Sequence, residues 1–272
     1  MKTILLPTDF SAAANNAANY AANMALAINA GLLLLHIYDI PVGYTEIPLL
    51  IDPEELKKSA ENEICKLREQ LIRNTSGKIK IETSVNLGTF FNELESVCDT
   101  INPYAVVMGN QGTTTALRLL FGSHTVQAMK HLKWPLITVP NGTRYSGIKK
   151  IGLACDFKKV IDETTIDETK LLVNDFNAEL HVLNIERQKI YDPEFGFESG
   201  LLQVMLFGLK PRYHFFKSEN IDEGIMEFTE KNNIDLLIMM PKRHSMLDKF
   251  IHRSHTKQLL LYSHVPVMAL HQ

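Results

Sequence analysis

Cysteine is scarce and unpatterned. The three thiols, Cys65, Cys98 and Cys155, are odd in number and widely spaced, with no CxxC and no Cys/His ligand spacing. That excludes a disulfide framework or a zinc finger and predicts reduced, mostly buried thiols. A large excess of charge of one sign is also missing: a formal net charge of -3 offers no general attraction to nucleic acid or to anionic membrane. Long apolar runs are absent. The N-terminus carries one lysine and a short apolar run ending at Pro7, too short for a secretory signal, and no stretch approaches a membrane-spanning length. A cytoplasmic protein with neither nucleic acid nor membrane as partner is the expectation. No serine-hydrolase elbow, zincin motif or carboxylate pair of known spacing appears, so no general base is assigned.

What is present fills two domains. At 272 residues the chain fits two units of about 130 to 140 residues, each able to bury a core without staples. Lys2 to Thr8 reads as a short apolar strand that exits through Asp9-Phe10-Ser11. Asp9 has two readings: the N-cap of the next helix, or a ligand-facing group at the carboxyl end of a parallel strand. Ala12 to Asn29 carries Ala17, Ala21, Met24 and Ala25 at helical spacing, a small-residue face that lets a helix lie close to a sheet, with Gly31 its expected C-cap. Leu32 to Tyr38 is an apolar run broken by His36, expected as a strand covered on both faces, with His36 hydrogen-bonded in the core rather than a base. Asp39 to Ile51 lacks periodicity and is a loop. Asp52-Pro53-Glu54-Glu55 opens a helix by the N-cap, proline-first and acidic-first-turn rules, with Leu56, Ala60, Ile64, Leu67 and Leu71 inward. Lys78 to Asn86 is a strand ended by Gly88, Phe91 to Thr100 a helix with Leu94, Val97 and Cys98 inward, and Leu136 to Val139 a last strand. The β-α alternation predicts a doubly wound parallel sheet.

Met108 to Thr125, MGNQGTTTALRLLFGSHT, is the stretch around which the rest is organised. The apolar Ala105-Val106-Val107-Met108 ends at Gly109; Gly112 and then Gly122-Ser123 follow, and a helical pattern begins at Ser123 with Val126, Met129 and Leu132 on its apolar side. Strand, glycine loop, small turn and helix suit an anion, because glycine lets the backbone approach and a helix N-terminus presents free N–H groups. The residues after Gly112 are Thr113, Thr114 and Thr115, which excludes a P-loop, and the glycines lie too far apart for a dinucleotide fingerprint. Gly-x2-Gly-x9-Gly-Ser resembles the ATP-binding signature of the universal stress protein family, and Ile4-Leu5-Leu6-Pro7-Thr8-Asp9-Phe10-Ser11 matches that family's opening strand. The resemblance implies an adenine-nucleotide α-hydrolase-like, Rossmann-like α/β fold and ATP (or ADP or AMP) with Mg²⁺ as ligand. It implies that Asp9 and the main chain of Ile37 hold the adenosine and that Gly109, Gly112, Gly122 and Ser123 hold the phosphates. The resemblance also implies Met108 and His124 as members of the nucleotide-binding set. Any ATP hydrolysis would be slow.

From Lys149 the pattern restarts. Ile151 to Phe157 lies over Ile4 to Phe10, with Asp156 in the place of Asp9. Glu179 to Ile185 lies over Leu32 to Ile37, Asp235 to Met240 over the strand ending in Met108, and His264 to Leu270 over Leu132 to Pro140. An internal duplication is the simplest account, and the tandem form of the family is the closest resemblance. It divides the chain into 1–142, with the intact motif, and 147–272, a degenerate copy, paired through their final strands as a pseudo-dimer; a homodimer of whole chains is compatible with it. In the second copy Pro241 and His244 replace the glycines and Arg253-Ser254 replaces Gly122-Ser123, so a cradle of close backbone N–H groups should not form. Its middle section, Arg187 to Lys217, predicts a shorter, less regular helix.

Side signals favour bland readings. His252 and His255 are spaced for a zinc pair, but no carboxylate or Cys supports them. Lys242, Arg243, Lys249, Arg253 and Lys257 read as a solvated surface before a phosphate-binding one, and Arg118 is the cation nearest the expected phosphates. Two other functions compete with the nucleotide sensor. One is a non-catalytic interaction module built on the same fold. The other is an adenylate-forming enzyme, which ranks last because its HIGH-type or SGGxD-type loops are missing.

Overall fold

The computed structural model describes residues 1–40, 52–110, 123–155, 163–186, 193–240 and 263–270. The first half runs β1 (Thr3–Pro7), α1 (Ala12–Ala27), β2 (Gly31–Tyr38), α2 (Pro53–Asn74), β3 (Ile81–Leu87), α3 (Phe90–Ile101), β4 (Ala105–Asn110), α4 (Ser123–His131) and β5 (Leu136–Pro140). The second half runs β6 (Lys150–Ala154), α5 (Glu163–Phe176), β7 (Glu179–Glu186), α6 (Pro193–Leu206), β8 (Arg212–Lys217), α7 (Ile221–Asn232), β9 (Leu236–Met239) and β10 (Val267–Ala269), with a 3-10 turn at Phe207–Leu209 between α6 and β8.

The strands form a ten-stranded sheet in the order β3-β2-β1-β4-β5-β10-β9-β6-β7-β8. Each half alone reads as a parallel, doubly wound sheet, the second a repeat of the first. The halves meet where β5 and β10 pair antiparallel, Val267 opposite Thr138 and Ala269 opposite Leu136. Ile4, Leu5 and Leu6 are all fully buried, as a strand with helices on both faces requires. On one face α1 and α2 pack Ala17, Ala21, Met24, Ile64 and Leu71 against the sheet; on the other, α3 and α4 pack Leu94, Cys98, Met129 and Leu132. Lys2 adds a link between the halves, forming an ion pair with Asp175 of α5 while its ammonium lies over the Tyr104 ring.

Local rules account for several boundaries. The Asp52 side chain accepts from Glu54 N at 2.9 Å, and Pro53 stands first in α2. The middle helix of the second half is indeed the shorter, 14 residues in α6 against 22 in α2. One open alternative is decided and two expectations are corrected. Ser11, not Asp9, caps α1: its hydroxyl accepts from Ala14 N at 3.2 Å. Gly31 does not cap α1, which ends with Ile28 and a left-handed Asn29 (φ 52°), leaving Gly31 to open β2. Cys65 is exposed on the polar face of α2, whereas Cys98 is buried and Cys155 half-buried, and none of the three forms a disulfide. Among the described residues no helix is long and apolar enough to cross a membrane.

Candidate functional site

The chain passes from β1 through β2 to β3 on one side and then crosses back to β4 on the other, so β1 and β4 flank a topological switch point. Open α/β sheets leave a crevice for ligands there, outside the carboxyl ends of the strands. Asp9 follows β1, and Met108, Gly109 and Asn110 end β4.

The turn after β1 is tightly specified. Phe10 N donates to Thr8 Oγ1 at 3.1 Å and Ser11 N to Asp9 Oδ1 at 3.0 Å. Phe10 takes a left-handed conformation (φ 62°), and Asn15 Nδ2 donates to its carbonyl at 3.0 Å. The Phe10 ring stacks on His36 at 4.5 Å. His36 Nδ1 in turn bonds the Thr8 carbonyl at 2.8 Å, so this half-buried histidine joins two strand ends, as a core reading expects. Asp9 is left exposed at the mouth, one carboxylate oxygen shaping its own turn.

Pairing parity exposes the main chain of Ile37. Leu32 N donates to Lys80 O and Gly88 N to Tyr38 O, so even-numbered residues of β2 bond towards β3 and odd-numbered ones towards β1. The last paired residue of β1, Pro7, lies opposite Leu35. Ile37 therefore turns its N–H and C=O past the end of β1, into the crevice beside Asp9.

Across the switch point, β4 runs two residues further than the pattern suggests and carries Gly109 within the sheet, opposite Val139. A Cβ on Gly109 would lie 2.4 Å from Ala13 O and 2.6 Å from Ala13 C. The glycine thus lets the alanine-rich first turn of α1 sit against the strand. Helix α4 begins at Ser123, and its Thr125 hydroxyl donates to Gly109 O at 3.5 Å, which brings the α4 N-terminus to the end of β4. His124, in that first turn, stacks its ring on Phe90 of α3 at 4.3 Å and 6° and meets Phe91 edge-on at 5.8 Å.

Asp9, Ile37, Met108, Gly109, Ser123 and His124 therefore come from the carboxyl ends of three neighbouring strands and the start of α4. Gly112, Gly122, Arg118 and Asp156 lie outside the described residues, as do Pro241, His244, His252, Arg253 and His255. Phe90, Phe91 and Thr125 were not singled out as site-forming by the sequence. The Phe-Phe doublet directly after Gly88-Thr89 was the available signal. Among the described residues no cluster of three or more His, Cys, Asp or Glu side chains is placed to hold a metal ion.

The second half repeats one detail of this geometry. Cys155 N donates to Leu183 O at 3.1 Å and Asn184 Nδ2 to Cys155 O at 3.0 Å, matching Thr8 N to Leu35 O at 2.8 Å and the His36 ring to Thr8 O. An amide has replaced an imidazole while the bond across the strand ends is kept.

The universal stress protein family model matches residues 1–140 and again 160–271. The chain belongs to the universal stress protein family. A universal stress protein of Synechocystis sp., Slr1230, is 23% identical over 293 residues, covering 98% of this chain and 99% of the relative. The crystal structure of a universal stress protein from Archaeoglobus fulgidus superposes with a TM-score of 0.75 at 17% identity, covering 99% of this chain and 98% of that one. A functionally unknown protein from Pseudomonas aeruginosa has a TM-score of 0.64 at 12% identity, covering 100% of this chain and 92% of that one. These structures share the tandem fold of this universal stress protein from end to end.

Proposed function

We propose that the chain is a cytoplasmic stress-response regulator that binds one adenine nucleotide, ATP or its ADP or AMP forms, with Mg²⁺, in its amino-terminal half. Residues 1–142 form the nucleotide-binding domain, and 147–272 a degenerate copy that completes an intramolecular pseudo-dimer. The observation that carries this reading is the open main-chain edge of Ile37 beside Asp9 at the switch point. A neighbouring donor and acceptor on one strand match the edge of an adenine ring, and an exposed carboxylate at the same mouth suits ribose hydroxyls. Support at the phosphate end comes from the α4 N-terminus held against β4, which the sequence precedes with Gly112 and Gly122. Hydrolysis, where it occurs, is slow, because no side chain of the set is an evident base.

Gly109 favours a second reading, a nucleotide-free interaction module. Its missing Cβ is required by packing on Ala13, so that glycine is needed whether or not a phosphate binds. Native mass spectrometry of the purified protein separates the two. The nucleotide reading predicts mass increments of adenine nucleotide on the intact chain after incubation with Mg²⁺ and ATP, lost in Gly112→Val. A fully folded chain that acquires no adenylate leaves the interaction module.

A further inference from the structure

The ring of His124, an exposed residue of the candidate site, packs against the start of α3. Its plane lies 6° from that of Phe90 at 4.3 Å, Phe91 closes the edge at 5.8 Å, and Phe90 and Phe91 meet each other edge-on at 5.2 Å. The three rings join the first turns of α3 and α4, beyond the apolar core formed deeper on the same helices by Leu94, Cys98, Met129 and Leu132. Helix α4 has nine residues, too few to hold its own first turn without tertiary contacts. A second tie at that end is the 3.5 Å bond from the Thr125 hydroxyl to Gly109 O.

We infer that Phe90 and His124 are positioning residues: their stack fixes the N-terminal turn of α4 so that its backbone N–H groups meet the phosphates, and the imidazole itself touches no phosphate. This rests on the nucleotide reading above and adds to it the means by which the phosphate end is held. The prediction is selective. Loosening the stack weakens ligands that carry phosphates and leaves adenosine, which is held at β1 and β2, much less affected. A stacked aromatic pair corresponds to a factor of roughly 2 to 12 in an equilibrium constant.

The test is a double-mutant cycle on the full chain, Phe90→Ala, His124→Ala and both together, titrated with ATP and with adenosine by calorimetry. Each single change is expected to lower ATP affinity by a factor within that range while moving adenosine affinity less, the double change to cost no more than either, and Phe90→Tyr to restore the ATP value. Losses that multiply in the double variant would show that His124 contacts the phosphates directly and overturn the inference; so would an unaltered ATP affinity in Phe90→Ala. Hydrogen exchange at the amides of 123–131 gives a readout independent of ligand. Equal acceleration in all three variants supports the positioning role even where wild-type protein binds no adenylate, an outcome that defeats the nucleotide reading alone. Unchanged exchange defeats the positioning role.

Discussion

Ser11 holds the first turn of α1 through a single hydroxyl, and its worth is measurable. Ser11→Ala removes the acceptor for Ala14 N, and the expected loss is about 1 kcal/mol in urea unfolding. Gly109→Ala should cost more, about 3 kcal/mol or the upper end of small-to-large core changes, because its methyl group would meet backbone rather than a side chain that can turn aside. Thermal denaturation would check it: a variant as stable as wild type would mean that α1 shifts freely away from β4. Burial pushes the Cys98 thiol up to about 12, with Asp99 and Glu95 adding to the effect. An alkylating reagent should therefore modify exposed Cys65 well before Cys98 in the native protein.

A residue pair on β7 and β8 gives stability a pH dependence. His181 Nδ1 and His214 Nε2 lie 3.1 Å apart with their rings parallel, and Glu179 approaches His181 at 3.6 Å while pairing with Arg212 at 3.2 Å. Burial is the main cause that lowers the pKa of both imidazoles; the neighbouring His214 adds to it for His181, and Arg212 for His214. The unfolded chain therefore takes up protons near the ordinary value of 6.5 while the folded chain resists them. The stability that results is complete above that pH and is lost as pH falls below it. The urea midpoint should drop between pH 7.5 and 5.5, and drop less in His214→Phe, where one of the two depressed groups is gone. An equal drop in both would place the pH dependence elsewhere.

At the scale of elements, what the sequence revealed and what it hid divide along contact range. The start of α2 was readable because Asp52, Pro53 and Glu54 are neighbours in the chain and the cap is a local bond. The alanine face of α1 was readable as a close-packing surface, but its partner was not: the atom that excludes a side chain at Gly109 belongs to Ala13, on a distant element. The cap of α1 was left open between roles for Asp9 because Asp9 and Ser11 both offer an oxygen near the helix start; the left-handed turn at Phe10 decides for Ser11. Within the candidate site, Asp9 was readable at the end of the first apolar run, whereas Ile37 came only with the family resemblance, and its strand parity needed the pairing of β2 with β1 and β3. The role of the His124 ring depends on a contact with α3 that no periodicity announces.

At the scale of the whole molecule, the duplication seen in the sequence becomes a sheet with mirrored strand order, joined where β5 meets β10. Both apolar layers run through the two halves, and Lys2 with Asp175 ties them a second time. The halves should therefore unfold together. Trp134, the only tryptophan, lies in the first half with its indole N–H on Asn102 at 3.2 Å, so its fluorescence reports that half while circular dichroism reports the whole chain. Coincident urea midpoints are expected, and separated ones would mean that the β5–β10 seam does not make the chain one cooperative unit.

The central claim, an adenylate at the β1/β4 switch point of the first half and none in the degenerate second half, is tested most directly by calorimetric titration of the intact chain with Mg²⁺ and ATP, then ADP and AMP. Saturable heat at one nucleotide per chain, abolished or greatly weakened in Gly112→Val that still folds, is the predicted result. No saturable heat with any of the three, in protein whose fold is verified in the same sample, would contradict it.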